Sequence, residues 1–338
     1  MESAGPIGFV LIVFGGIMEG VFSLPLKYTS KWSWENIWGA GSLMALLIVP
    51  WPLAFLTVPG LLDVYRSANF QTLLFVMLFG AGWGAGGIFF GLGLAAVGLS
   101  IGLSLIMGLV AIGGSVIPLA MQHPEQFGRP AGIVLVAGIA LMIFGMLVCA
   151  QAGKIRSGGG PTTHGTKFRL GLFYCVAAGL LSALVNFGLI FGAPIAHIAI
   201  TRGSNPSAAN NAVWALVFTA NYLVNVGYCL YLSNKNGTFH LFSKTGTASY
   251  WILAVLMGML WAGGIVVYGI GATWVGSFGA YLGFPIMLIT SILAGNAAGA
   301  LTGEWANSSA RSKQVMIGGV AILVVAISVL SYSSRLIQ

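Results

Sequence analysis

Of 338 residues, 58% are hydrophobic and 6% charged, and the mean hydropathy is +0.95. Soluble domains carry about 25% charged residues, so this chain cannot build an ordinary water-facing surface, and lipid is the solvent for most of its side chains. A formal charge of +8 would suggest nucleic acid in a soluble protein, but here the basic residues stand between apolar runs, where they orient helices, and no nucleic-acid partner is expected.

Crossing the hydrocarbon takes about 20 apolar residues per helix. Ten such runs are present, and their continuous rather than alternating apolar character predicts helices, not a barrel. The first, Pro6–Leu26, holds Glu19 at mid-depth. A charged acid at the bilayer centre costs about 2.5–3.5 kcal/mol even on lenient scales, so Glu19 faces protein or water, or keeps its proton. It is the proton-coupling candidate; the plainer alternative is a neutral acid making one helix–helix hydrogen bond. The loop Lys27-Tyr-Thr-Ser-Lys-Trp-Ser-Trp-Glu35 leads into the second run, Trp34–Leu56.

The third run, Leu73–Ala95, and the fourth, Leu99–Met121, are glycine-rich, with Gly80, Gly84 and Gly91 in one and Gly98, Gly102 and Gly113 at the other. Small residues let membrane helices approach closely. The fifth run, Ala131–Gln151, ends at the one clear linker, residues 154–168, which divides residues 1–153 from 169–338.

The sixth run, Leu170–Phe191, carries Ser182 and Asn186. The seventh, Ala212–Leu232, bears a stripe of Asn211, Trp214, Phe218, Asn221 and Asn225, whose steps of three or four keep it on one helix face. Amides beside aromatic rings suit a sugar, whose hydroxyls hydrogen-bond while its C–H face stacks. Interhelical amide bonds with lipid-facing aromatics are the alternative. The eighth run, Tyr250–Gly271, adds Tyr268, and the ninth, Phe278–Ala300, adds Asn296 as substrate-binding candidates; Val315–Ser334 is the tenth.

The halves echo each other. Ala85-Gly-Gly-Ile-Phe-Phe-Gly-Leu-Gly in the third run parallels Ala262-Gly-Gly-Ile-Val-Val-Tyr-Gly-Ile-Gly in the eighth, with one inserted residue. Both follow a tryptophan, Trp83 or Trp261, and both run on to Val97-Gly98 or Val275-Gly276. Aligning Gly8–Lys27 with Gly171–Ile190 sets Glu19 opposite Ser182 and Ser23 opposite Asn186; Glu19 with Ser23, and Ser182 with Asn186, are spaced to share a helix face, which makes Ser23, Ser182 and Asn186 substrate-binding candidates. Five helices per copy leave the second copy upside down, the inverted repeat of secondary transporters, whose solute site lies near the midplane. Glycine-rich helices also resemble one another by composition alone.

Lys27, Lys31, Lys154, Arg156, Lys167, Arg169, Lys235, Lys244, Arg311 and Lys313 follow odd-numbered runs; Arg66, Arg129, Arg202 and Arg335 lie on the other side. That excess predicts odd loops in the cytoplasm of a bacterial inner-membrane protein and both termini outside. With no basic residue before the first run, a cleaved signal peptide is not expected. Cys149, Cys175 and Cys229 all lie in apolar runs and read as packed thiols. There is no HExxH, no P-loop and no acid-rich loop, so neither an enzyme, an ATP-driven pump, a metal nor any other cofactor is expected.

The Lys27–Glu35 loop with Trp38, together with Phe79-Gly-Ala-Gly-Trp-Gly84 and Glu304-Trp-Ala-Asn307, resembles the L-rhamnose–proton symporter family of the drug/metabolite transporter superfamily. The resemblance runs nearly end to end. It implies proton-driven uptake of a deoxy-hexose through the bacterial inner membrane on a five-plus-five inverted-repeat fold. It carries over Lys27, Lys31, Trp32, Trp34, Glu35, Glu304 and Trp305 as gate or structural residues at the cytoplasmic side, with Trp83 inside its glycine-rich motif. Gly87, Phe89 and Glu19 depart from the family's pattern. Within transport the rival is an exporter or exchanger of another metabolite; outside it, a membrane sensor that binds without moving its ligand.

Overall fold

The computed structural model describes residues 4–97, 99–156, 166–276 and 279–336; Gly98, His164, Phe278 and the middle of the expected linker, 157–165, lie outside them. Among the described residues helix is the only regular structure. The α-helices are α1 (Ala4–Val21), α2 (Trp34–Leu43), α3 (Pro50–Thr57), α4 (Leu61–Ser67), α5 (Phe70–Val97), α6 (Leu99–Ala111), α7 (Ile117–Gln122) and α8 (Pro130–Arg156). After the linker come α9 (Thr166–Ser182), α10 (Leu184–Phe191), α11 (Ala193–Thr201), α12 (Asn211–Asn236), α13 (Ala248–Val275), α14 (Gly279–Leu301) and α15 (Ala310–Arg335). Nine described stretches are long and apolar enough to cross a membrane, from Pro6–Tyr28 to Ala310–Ser333, and each answers to one expected run. In the remaining run, the fourth, the described apolar stretch is the shorter Leu105–Met121.

Proline explains where the runs break. Pro25 lacks an N–H, and its ring would collide with the carbonyl of Val21 if the helix continued, so α1 ends at Val21 and a 3-10 turn, Leu24–Tyr28, follows. Pro50 and Pro118 are each preceded by a π turn, Met44–Ile48 and Ile112–Val116; Val49 N–H bonds Met44 O at 2.9 Å. Widening the helix by one residue ahead of a proline is a common relief of the lost ladder bond.

These breaks correct one expectation. Ser23 lies past the end of α1, exposed, and so does not share a continuous helix face with Glu19. Ser182 closes α9 while Asn186 belongs to α10, with Ala183 between them as a turn. The Ala183 methyl sits 2.6 Å from where a Cβ on Gly113 would be, so the π turn presses directly on this break.

The described chain forms two compact units, each drawing on both halves of the sequence. The first comprises residues 1–17, 86–183 and 271–338. In it α8 and α15 lie antiparallel, pinned at both ends: Ser312 Oγ donates to Ala152 O and Ser333 Oγ to Ala131 O, each at 2.7 Å. Between the pins, Gly145 faces Leu323 and Gly319 faces Cys149. The second unit comprises residues 18–85 and 184–270. There α12 packs on α2 and α3, and α5 approaches it so closely that a Cβ on Gly80 would overlap the Val217 carbonyl. Trp32, Ile37, Ala40, Tyr250, Ala254 and Met257 form an apolar cluster beside it.

Candidate functional site

The stripe expected on the seventh run stands on α12, where Trp214, Phe218, Asn221 and Asn225 are all buried. Trp214 and Phe218 stack with ring centres 5.4 Å apart. The first member, Asn211, is a structural tie, donating from Nδ2 to Thr57 Oγ1 at 3.0 Å.

Around Asn221 the contacts close into a ring within the second unit. Trp38 Nε1 donates to Asn225 Oδ1 at 3.0 Å. Trp38 lies 5.9 Å from Trp261, Trp261 lies 6.0 Å from Trp83, and Trp83 lies 5.8 Å from Phe218. Phe218 leads back along the α12 face through Asn221 to Asn225. Phe22, just past α1, stacks on Trp261 at 5.7 Å and meets Trp38 edge-on at 6.3 Å. Phe22, Trp38, Trp83 and Trp261 are only half-buried. Asn225 Nδ2 donates to Asn221 Oδ1 at 2.6 Å and to Asn221 O at 3.2 Å. Apolar ring faces with a few fixed polar groups make the composition of a small-molecule site.

Glu19 precedes Phe22 by three residues on the α1 run, one turn away. Ile7, Val10, Phe14 and Ile17 make the exposed stripe of α1. At about 100° per residue Glu19 projects from the opposite side, with buried Ile12. The acid is therefore turned away from the lipid-facing stripe. Its Oε1 is fully buried and has no hydrogen-bond partner. An orphaned buried acceptor costs free energy, and where one persists it asks for an explanation such as a proton, a water or a ligand.

In the second unit Asn186 and Tyr268 are buried, and Lys27 and Lys31 are exposed. Trp32 is core: its Nε1 donates to Leu241 O at 2.8 Å, and its ring meets Phe242, Tyr250 and Trp251 edge-on. Trp34 stacks on Trp38 at 5.3 Å. Glu35 Oε1 accepts from Thr238 Oγ1 at 2.8 Å and Asn236 Nδ2 at 3.1 Å, tying the start of α2 to the end of α12. Gly237, left-handed at φ 66°, turns the chain between those two donors.

In the first unit Ser182 packs against Gly86. Asn296 Nδ2 donates to Ile292 O of its own helix at 2.9 Å. Arg156 bonds Glu304 at 3.3 Å and lies 4.8 Å over the Trp305 ring. Among the described residues no three His, Cys, Asp or Glu gather as metal ligands.

Sequence reasoning left Phe22, Trp38 and Trp261 out of the candidate site. Two signals pointed to the tryptophans, and none to Phe22: Trp261 answers to Trp83 in the internal echo, and Trp38 stands one helical turn after Trp34.

Comparison with known proteins agrees with a membrane carrier. The family model described as L-rhamnose-proton symport protein (RhaT) matches residues 1–334. Proteins named L-rhamnose-proton symporter from Citrobacter koseri and Klebsiella pneumoniae are 25% and 26% identical over 338 residues, covering 97% of this chain and 98% of each relative. One from Yersinia pestis, also 25% identical, covers the same shares. The chain belongs to the L-rhamnose-proton symport protein family.

Proposed function

We propose that this chain imports a deoxy-hexose of the L-rhamnose kind together with protons, holding the sugar in the aromatic ring around Asn221 and carrying the proton on Glu19. One observation carries the reading: four aromatic rings and the Asn221–Asn225 amide pair close into one circuit of contacts, and a carboxyl with an orphaned buried oxygen stands one turn from Phe22, which stacks on that circuit. Aromatic faces offer stacking to the C–H side of a sugar, and the amides offer directional bonds to its hydroxyls. A lone intramembrane acid that takes up and releases a proton supplies coupling. The names of the relatives, L-rhamnose-proton symporters, support both the sugar and the proton.

The same reading takes the chain as ten membrane helices in two oppositely oriented copies, residues 1–153 and 169–338, joined by 154–168. Contacts within the first unit support it, because they recur in pairs under the sequence alignment of the halves. Gly8 packs on Val275, and its counterpart Gly171 packs on Val97, the counterpart of Val275. Gly271 packs on Ile12, and Gly93 likewise packs on Cys175. Gly16 meets Met287 and Thr290, while Gly179 meets Ile106 and Leu109, again three residues apart. Similar composition alone would not reproduce matched crossings residue for residue. With odd loops in the cytoplasm and both termini outside, as the basic residues favour, rocking of the copies would expose a bound sugar alternately to either side.

The test is transport by the purified full chain in proteoliposomes. Labelled L-rhamnose should exchange by counterflow without a gradient, and should accumulate when the outside is made acidic. Absence of counterflow would overturn the sugar assignment, and accumulation insensitive to an imposed pH gradient would overturn proton coupling.

A further inference from the structure

We infer that Trp38 is a positioning residue that fixes the direction of the Asn225–Asn221 amide chain, so that Asn221 presents an N–H donor, not an acceptor, to the sugar. The inference rests on the sugar-carrier reading and adds to it the residue that reads one sugar oxygen. An asparagine amide has a donor end and an acceptor end of nearly the same shape, so a lone amide can turn either way. The indole N–H of tryptophan can only donate. The 3.0 Å bond from Trp38 Nε1 therefore requires oxygen on the facing side of Asn225. That turns Asn225 Nδ2 towards Asn221, where it donates to Oδ1 at 2.6 Å. Asn221 Oδ1 is thereby engaged, and its Nδ2 becomes the open end of the chain, with no partner among the described residues.

Both amides are nearly inaccessible, Asn225 at 5% and Asn221 at 2%, so reversing the chain would leave buried donors facing donors. Asn221 stands on the α12 side of that circuit, between Phe218, which meets Trp83, and Asn225, which accepts from Trp38. A ligand seated on those rings meets the Asn221 N–H with one of its oxygens. Trp38 acts at one remove, through Asn225.

The experiment measures equilibrium binding of L-rhamnose and its monodeoxy analogues to the lipid-reconstituted full chain. Wild type should prefer L-rhamnose about tenfold over the one analogue lacking the oxygen that is read. Asn221→Asp, which replaces the donor with an acceptor, should abolish that preference. Trp38→Phe keeps a ring but removes the indole N–H, and should reduce the preference to less than about threefold. Adding Trp38→Phe to Asn221→Asp should cost nothing further in that preference. A purely packing role for Trp38 would instead weaken all the sugars alike and add to the Asn221 effect, and that result overturns the inference. If Trp38→Phe does not fold, Asn225→Asp takes its place: a carboxylate accepts from Trp38 but has no N–H for Asn221, so the same loss of preference is expected. Wild type that binds no sugar refutes the carrier reading itself; wild type that binds, with full selectivity kept in these variants, refutes only the role of Trp38.

Discussion

The α8–α15 pair and the aromatic ring beside α12 are both built from long apolar helices, yet their polar side chains are used in opposite ways. Along α8 and α15, Ser312 and Ser333 close onto backbone carbonyls, and glycines face aliphatic side chains. Nothing in that contact is offered to a ligand. Around α12, Asn225 bonds other side chains, Trp38 and Asn221, and the aromatic edges stay half-exposed. A nearby carboxyl keeps an oxygen without any partner. In a medium without water each polar group needs a partner. Polar groups whose bonds all close on backbone therefore mark scaffold, and side-chain chains with an open end mark a place where something else completes the bonding.

That contrast can be broken by substitution. Glu19→Gln keeps the shape and removes the titrating group, so accumulation of L-rhamnose under an imposed pH gradient should fall by tenfold or more in proteoliposomes. Counterflow exchange should stay within about twofold of wild type. Unchanged accumulation would remove Glu19 from the mechanism. Next in size, Trp261→Ala removes the ring that touches Phe22, Trp38 and Trp83, and sugar affinity measured at equilibrium should drop about tenfold, equivalent to ~1.4 kcal/mol. Trp251→Ala, in the cluster around Trp32 and Phe242, should leave affinity within about twofold. Equal losses in the two variants would erase the distinction between ring and core.

The smallest effect belongs to the scaffold. Ser312→Ala with Ser333→Ala removes two hydroxyl-to-carbonyl bonds, each worth about 0.6 kcal/mol in membrane proteins. Thermal unfolding in detergent should shift down by a few degrees while transport rates stay within about twofold. A transport defect larger than the stability loss would mean that the α8–α15 contact takes part in the cycle.

Much of the fold was legible because lipid imposes a single rule on the sequence: apolar runs of sufficient length become helices. Glu19 stood out because an acid in such a run is costly, and the α12 stripe stood out because its spacing follows the helical period. Phe22 did not stand out. An aromatic residue in a membrane helix carries no local mark that separates a lipid-facing ring from one in a site. The breaks after Val21 and at Ala183 were hidden for different reasons. The first was readable in hindsight from Pro25, but the second has neither proline nor glycine and coincides with pressure from Gly113 on another helix.

The amino-acid sequence determined by itself that this is a helical membrane protein, where most of its runs lie (the sixth continues past its expected end to Thr201), and which few polar groups interrupt them, because hydrophobicity and period are properties of single segments. Only the tertiary structure decided that Glu19 turns away from the exposed stripe of α1, that Asn211 and Trp32 serve packing, and that Trp38, Trp83, Trp261 and Phe218 join the α12 amides in one circuit of contacts. Those facts depend on which helix face meets which, and that is fixed by contacts between segments far apart in the chain.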